Sequence, residues 1–232
     1  MVNPWWEGPL VGLRLETTGS DVDTARIVTA EVVRHDPTTG EVKVRHLLVD
    51  PGAAGVDGLA AEAHLCGMPA RAGVAEVLRL LAATAHLPLV VCHGARDLTV
   101  LDREARRHGL EVFEPVVVVD PMVLDKHLDP CRRDEPTLRA TAARYGVRPD
   151  ADGAARPADQ GAVAWIRLAR AMGRTGRLLA DARELHERQV RWRFEQAVVA
   201  QYVAARGCRE GDVPRQWPVI ELPTPARVPA TA

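Results

Sequence analysis

Lysine is almost missing from this 232-residue chain: it occurs only at Lys43 and Lys126, and the other cations are arginines. Thirty Lys and Arg face 31 Asp and Glu, for a formal net charge of -1. A global basic field that would hold nucleic acid without sequence preference is therefore absent, and any such contact has to come from a local patch. Aromatics make up only 4% of the residues, so a core drawn from the 47% hydrophobic fraction must be built mainly from Val, Leu, Ala and Ile. The four cysteines, Cys66, Cys92, Cys131 and Cys208, contain no Cys-x-x-Cys pair, which argues against a zinc site. No apolar run is long enough to span a bilayer, and no cationic stretch leads into an apolar segment as in a secretion signal. The expectation is a cytoplasmic chain in a reducing compartment, with no membrane partner.

The apolar, β-branched runs Leu10 to Glu16, Ile27 to His35 and Val42 to Val49 read as three strands. Asp36-Pro37-Thr38-Thr39-Gly40 between the second and third is hairpin-turn chemistry. Residues 50–70, rich in Gly, Ala and Pro, read as an irregular connection. Val74, Val77, Leu78 and Leu81 then recur at helical spacing. Pro88 to Cys92 reads as a buried strand, Leu98 to His108 as a helix stopped by Gly109, and Val116 to Val119 as a strand ended by Asp120-Pro121. Further helices are expected over Pro136 to Tyr145, Asp159 to Met172 and Leu178 to Arg206, with a loop over 147–158 and a Pro-rich tail from Gly207. This order predicts an α/β fold: a three-strand antiparallel meander extended by parallel strands into a mixed sheet flanked by helices, of RNase H-like type. Residues 1–175 form the expected main domain, and 176–232 a long C-terminal helix and tail packed on it.

Three stretches carry candidate chemistry. Leu13-Arg14-Leu15-Glu16-Thr17-Thr18-Gly19 ends the first strand, and alternation puts residues 14 and 16 on one face. Cys92-His93-Gly94-Ala95-Arg96-Asp97-Leu98 follows a buried strand and opens a helix. Asp159 precedes a later helix, with Ala154 five residues before it. In this order and on these elements, they resemble the motifs of the DEDDh group of 3′–5′ exonucleases, over roughly residues 5–220. The first motif of that group reads Asp-x-Glu-Thr-Thr-Gly, so Arg14 stands where the family has a metal-bridging Asp, and Glu16 keeps its second carboxylate. Asp97 and Asp159 match the other two carboxylates, and Ala154 takes the place of the general-base His. The resemblance further implies substrate contacts for Thr17, Thr18, His64 and Arg96.

Two-metal phosphodiester hydrolysis needs carboxylates holding two cations about 3.5–4 Å apart. Arg14 removes two acceptor oxygens and adds a charge that does not titrate away. Loss of a positioned base costs on the order of 10²–10⁴-fold in rate. The resemblance therefore implies a member whose conventional nuclease chemistry is broken. It needs no cofactor, and binding of Mg²⁺ or Mn²⁺, through Glu16 and Asp159, is weak or lost. His93 is a conceivable replacement base. Arg14 is expected to form an internal salt-bridge cluster with Glu16, Asp97 and Asp159. Such a pocket is left to bind a nucleic-acid 3′ end or a protein partner. The alternatives are a repurposed enzyme acting on a small-molecule substrate without metals, or residual hydrolysis by the three surviving carboxylates. The long C-terminal helix is a candidate homodimer face. Trp5, Trp6, Trp192 and Trp217 are expected to pin the termini, and Arg103, Arg106 and Arg107 to form a solvated helix face.

Overall fold

The computed structural model describes residues 3–52, 59–132, 137–147, 161–205 and 214–222. Strands β1 (Leu10–Thr17), β2 (Ile27–Asp36) and β3 (Glu41–Asp50) form the expected antiparallel meander. Two-residue strands β5 (Leu89–Val90) and β6 (Val118–Val119) add to β1 in parallel, and β4 (Met68–Pro69) lies on the far side of β3. The six-stranded order is β4-β3-β2-β1-β5-β6. Helices are α1 (Leu59–Cys66), α2 (Ala70–Ala83), α3 (Gly94–Arg107), α4 (Pro121–Leu128), α5 (Leu138–Arg144), α6 (Ala162–Gly173) and α7 (Ala182–Ala204). The fold is the predicted mixed α/β one.

Burial along β1 explains its central place. Leu10, Val11, Gly12 and Leu13 are all buried, as suits a strand covered on both faces, whereas Arg14 and Glu16 alternate with buried Leu15 where one face opens. Gly12 lets α6 come close: a Cβ there would lie 2.9 Å from the Ala162 carbonyl oxygen and 3.1 Å from Ile166 Cδ1. This contact brings the start of α6 against β1.

Four sequence expectations are corrected. The connection at 50–70 contains α1 and β4. Asp120-Pro121 ends β6 but also starts α4: Asp120 Oδ1 accepts from Met122 N at 2.9 Å, with Pro121 in the first turn, where its missing N–H costs nothing. Helix α3 begins at Gly94, four residues before Leu98, behind an N-cap residue, His93, at φ 58°. Helix α7 starts at Ala182, not Leu178, because the Asp181 carboxylate caps Glu184 N. Residues 159 and 160, the expected start of the preceding helix, lie outside the described residues.

Helix α7 packs on β6 by an unusual device. Gln189, fully buried, accepts from Asp120 N at 2.8 Å and donates to the Val118 carbonyl at 2.9 Å. Its amide does for β6 what a neighbouring strand's peptide would do. His186 Nδ1 accepts the Val118 N–H at 3.1 Å, and burial lowers the pKa of that imidazole, in keeping with its role as an acceptor. Trp5 is buried, with its indole donating to Leu179 O at 3.0 Å, and Trp217 is buried beside His186. Trp192 stacks on His127 at 3.6 Å. No helix among the described residues is long and apolar enough to cross a membrane.

Candidate active site at the end of the first strand

The parallel strands β1, β5 and β6 deliver their C-terminal ends to one side of the sheet, where open α/β sheets place ligands. Two arginine–carboxylate pairs lie there. Arg14 Nη2 donates to Glu16 Oε1 at 2.5 Å, and the other Glu16 oxygen accepts from Thr29 Oγ1 at 3.1 Å. The pair is about one-third exposed, at 28% and 35%. Arg96, in the first turn of α3, donates to Asp97 Oδ1 at 3.0 Å, to Thr17 Oγ1 at 2.5 Å and to Gly19 O at 2.8 Å. This arginine bolts the helix onto the end of β1.

The expected single cluster is therefore divided. Arg14 pairs with Glu16, while the cation for Asp97 is Arg96. Asp97 is buried, and burial raises its pKa from 3.8 to about 7; the Arg96 charge opposes the rise and the Asp120 charge adds to it. Asp120 is also buried and raised, against the Gly94 N–H donated to it at 2.8 Å. Thr17 is a bridging hydroxyl, accepting from Arg96 and donating to Gly19 O at 2.8 Å. Thr18 closes the strand end instead: its Oγ1 accepts Arg26 N at 3.0 Å. His93 sits in left-handed backbone geometry at the mouth of α3, with no side-chain cap bond. His64 is on α1, paired with Asp50 at 2.9 Å at the same end of the sheet but two strands from β1. Asp159 and Ala154 lie outside the described residues. Cys92 is buried, and burial raises its thiol pKa.

Among the described residues, the carboxylates at this end of the sheet are already engaged by donors from the protein itself. One Glu16 oxygen is held by a guanidinium and the other by a hydroxyl, and Asp97 is held by a second guanidinium. Among the described residues, no group of three or more His, Cys, Asp or Glu side chains is placed to hold a metal ion. What the arrangement offers is hydrogen-bond donors: two arginines at the ends of two parallel strands. Sequence reasoning missed Arg96 as the clamp on Asp97. It also missed Asp120 and Arg193, which line a neighbouring cleft of about 520 Å³ with His93 and Arg96. Asp120-Pro121 was a visible helix-start signal, whereas nothing local marks Arg193. The expectation of a solvated face for Arg103 is corrected: it is buried and ion-paired to Asp102 at 2.7 Å and Asp23 at 2.8 Å.

No protein-family model matches the chain, and no curated protein matches it in sequence. Solved structures do match. Cell-death related nuclease 4 superposes with a TM-score of 0.55 at 9% identity, covering 72% of this chain and 64% of that one. E. coli exonuclease I in complex with a dA16 oligonucleotide gives 0.52 at 14%, covering 85% and 45%. A moderately thermophilic exonuclease I from Methylocaldum szegediense gives 0.53 at 17%, covering 71% and 40%. The chain spans less than two thirds of each of these proteins. At such identities the likeness establishes the fold alone, an exonuclease-like one shared with these nucleases.

Proposed function

We propose that this chain is an exonuclease-fold protein that has lost conventional two-metal hydrolysis and retains the pocket at the end of β1 to bind the end of a nucleic-acid strand. The observation that carries the reading is the 2.5 Å pair of Arg14 with Glu16. At about 4 Å and an effective dielectric near 20, a pair of unit charges is worth about 4 kcal/mol, and a divalent ion doubles it. Exchanging a carboxylate for a guanidinium turns an attraction of that order into a repulsion. The same exchange suits the pocket to phosphate, because guanidinium forks match phosphate oxygens in pairs. Ala154, at the position where the resembling family has its base, removes the second half of the chemistry. E. coli exonuclease I, which shares the fold over 45% of its own length, is in complex with a dA16 oligonucleotide, and this supports the reading.

The test is incubation of the full chain with 3′-labelled single-stranded DNA in Mg²⁺ or Mn²⁺. Intact ends together with retention of the DNA are expected; rapid loss of the label would overturn the reading in favour of hydrolysis by Glu16, Asp97 and Asp159. The double variant Arg14→Asp, Ala154→His sharpens it. Metal-dependent degradation is expected to appear in that variant, because two substitutions separate the chain from the motif set it resembles.

A further inference from the structure

Beside the β1 pocket lies a cleft that the reading above does not use. It has a volume of about 520 Å³ and opens between the first turns of α3 and α4, the middle of α7 and residues 20–22. Pockets for small ligands span roughly 300–1,000 Å³. Asp120 contributes to its lining, but both of its oxygens are taken, by Gly94 N at 2.8 Å and by Met122 N at 2.9 Å. Asp21 also lines it, with its carboxylate turned onto Asp23 N and Thr24 Oγ1 at 3.0 and 2.9 Å. Each oxygen of both acids thus already accepts one donor from the protein.

The cations are differently placed. Arg96 comes from α3, oriented by Thr17, Gly19 and Asp97. Arg193 comes from α7. Among the described residues it forms no ion pair or hydrogen bond; burial lowers its pKa, and the Asp120 charge opposes that. A half-buried guanidinium whose donors are unused is a site waiting for an acceptor. The remaining wall has an apolar part, Val22, Met122, Val123 and Ile220, beside the polar side chains of Ser20, His93 and Gln196.

Two guanidiniums, engaged carboxylates and a partly apolar wall in one cleft fit an anion that carries a flat, weakly polar body. We propose that this cleft binds a nucleoside phosphomonoester, with its phosphate gripped by Arg96 and Arg193 and its base against Val22, Met122 and Ile220. This rests on the reading of the chain as a binder of nucleic-acid ends and narrows it to a chemical class. A free mononucleotide and the phosphorylated terminus of a strand present the same chemistry.

Titration calorimetry on the full chain, without metal, separates these cases. The probes are dAMP, deoxyadenosine and a 3′-phosphorylated oligo-dT. Binding of dAMP is expected, with deoxyadenosine at least about 10-fold weaker and Arg193→Gln weakening dAMP by about 10- to 100-fold. Arg193→Lys, which keeps the charge but not the fork, is expected to fall between them, and Arg79→Gln on α2 to leave the affinity unchanged. Oligo-dT binding with the same sensitivity to Arg193→Gln assigns the strand end as the source; dAMP binding alone assigns the free nucleotide. The proposal is overturned if dAMP binds no better than deoxyadenosine, or if Arg193→Gln and Arg193→Lys both bind as the wild type does. Degradation of oligo-dT in Mg²⁺ alongside an Arg193-dependent dAMP isotherm would overturn the loss of hydrolysis and leave the cleft assignment standing.

Discussion

The first turn of α3 and its last two turns both set arginine against carboxylate, in contrasting surroundings. At the first turn, Arg96 is 37% exposed and shares its donors among Asp97, Thr17 and Gly19. At the far end, Glu104 is fully buried and one of its oxygens accepts from Arg26 Nε at 2.7 Å and from Arg107 Nη1. Its other oxygen has no hydrogen-bond partner among the described residues and lies 3.8 Å from His108 Nε2. Arg103 extends the network to Asp23 and to the Ile220 carbonyl, tying the 21–26 loop and the C-terminal segment to the helix. The same residue types fasten the helix at both ends, but the far end is the more deeply buried, with Arg103 only 7% exposed against 37% for Arg96. A buried network of this kind is more sensitive to loss of one partner than a partly exposed one.

The largest expected effect is at the far end. Glu104→Ala leaves Arg26 and Arg107 beside a void with no counter-charge, and should lower the unfolding free energy by about 3–5 kcal/mol in a urea titration. A loss no greater than that of a surface pair would erase the contrast between the two ends.

Asp97 comes next. Its folded-state pKa of about 7 lies above its ordinary 3.8, so the folded chain binds a proton more tightly than the unfolded chain does. The resulting stability is complete below about pH 4 and is lost as pH rises through about 7. Asp97→Asn should therefore be more stable than the wild type at about pH 8, on the order of 2–4 kcal/mol, and nearly equal to it at about pH 4. Thermal unfolding of both proteins across that range is the check; a difference that grows toward low pH would reverse the sign of the argument.

The smallest stability change belongs to Arg14. Its pair with Glu16 is about one-third exposed, and Arg14→Ala should cost less than about 1 kcal/mol. The same variant should bind Mn²⁺ more tightly in a calorimetric titration, because one positive charge is gone and Glu16 Oε1 is freed. A large stability loss with no gain in metal affinity would place Arg14 with the buried network.

The meander was legible because alternation and turn chemistry are local. The same holds for Arg14 and Glu16, two residues apart on a strand, and for Asp97 at a helix opening. Helix α1 was not legible: its Ala-rich sequence has almost no amphipathic contrast, so only its packing against β3 defines it. Helix α4 was misread because Asp120-Pro121 serves two purposes, ending a strand and capping a helix. The partners of Asp97 and the meeting of Arg193 with Arg96 depend on contacts between residues far apart in the chain. No spacing rule reaches them.

The Gln189 amide has a consequence for how copies of this chain can meet. An open strand edge invites a strand from another molecule, the usual route to edge-to-edge aggregation. On the β6 side the Val118 carbonyl and the Asp120 N–H are already satisfied by that one side chain. On the opposite side the outermost strand is only Met68–Pro69, and proline has no N–H to offer. The β6 border is closed to backbone pairing by that amide, whereas β4 covers β3 only at Val49 and Asp50, so among the described residues the open strand edge is the outer side of β3 from Glu41 to Leu48, and that is where a strand of another molecule can add.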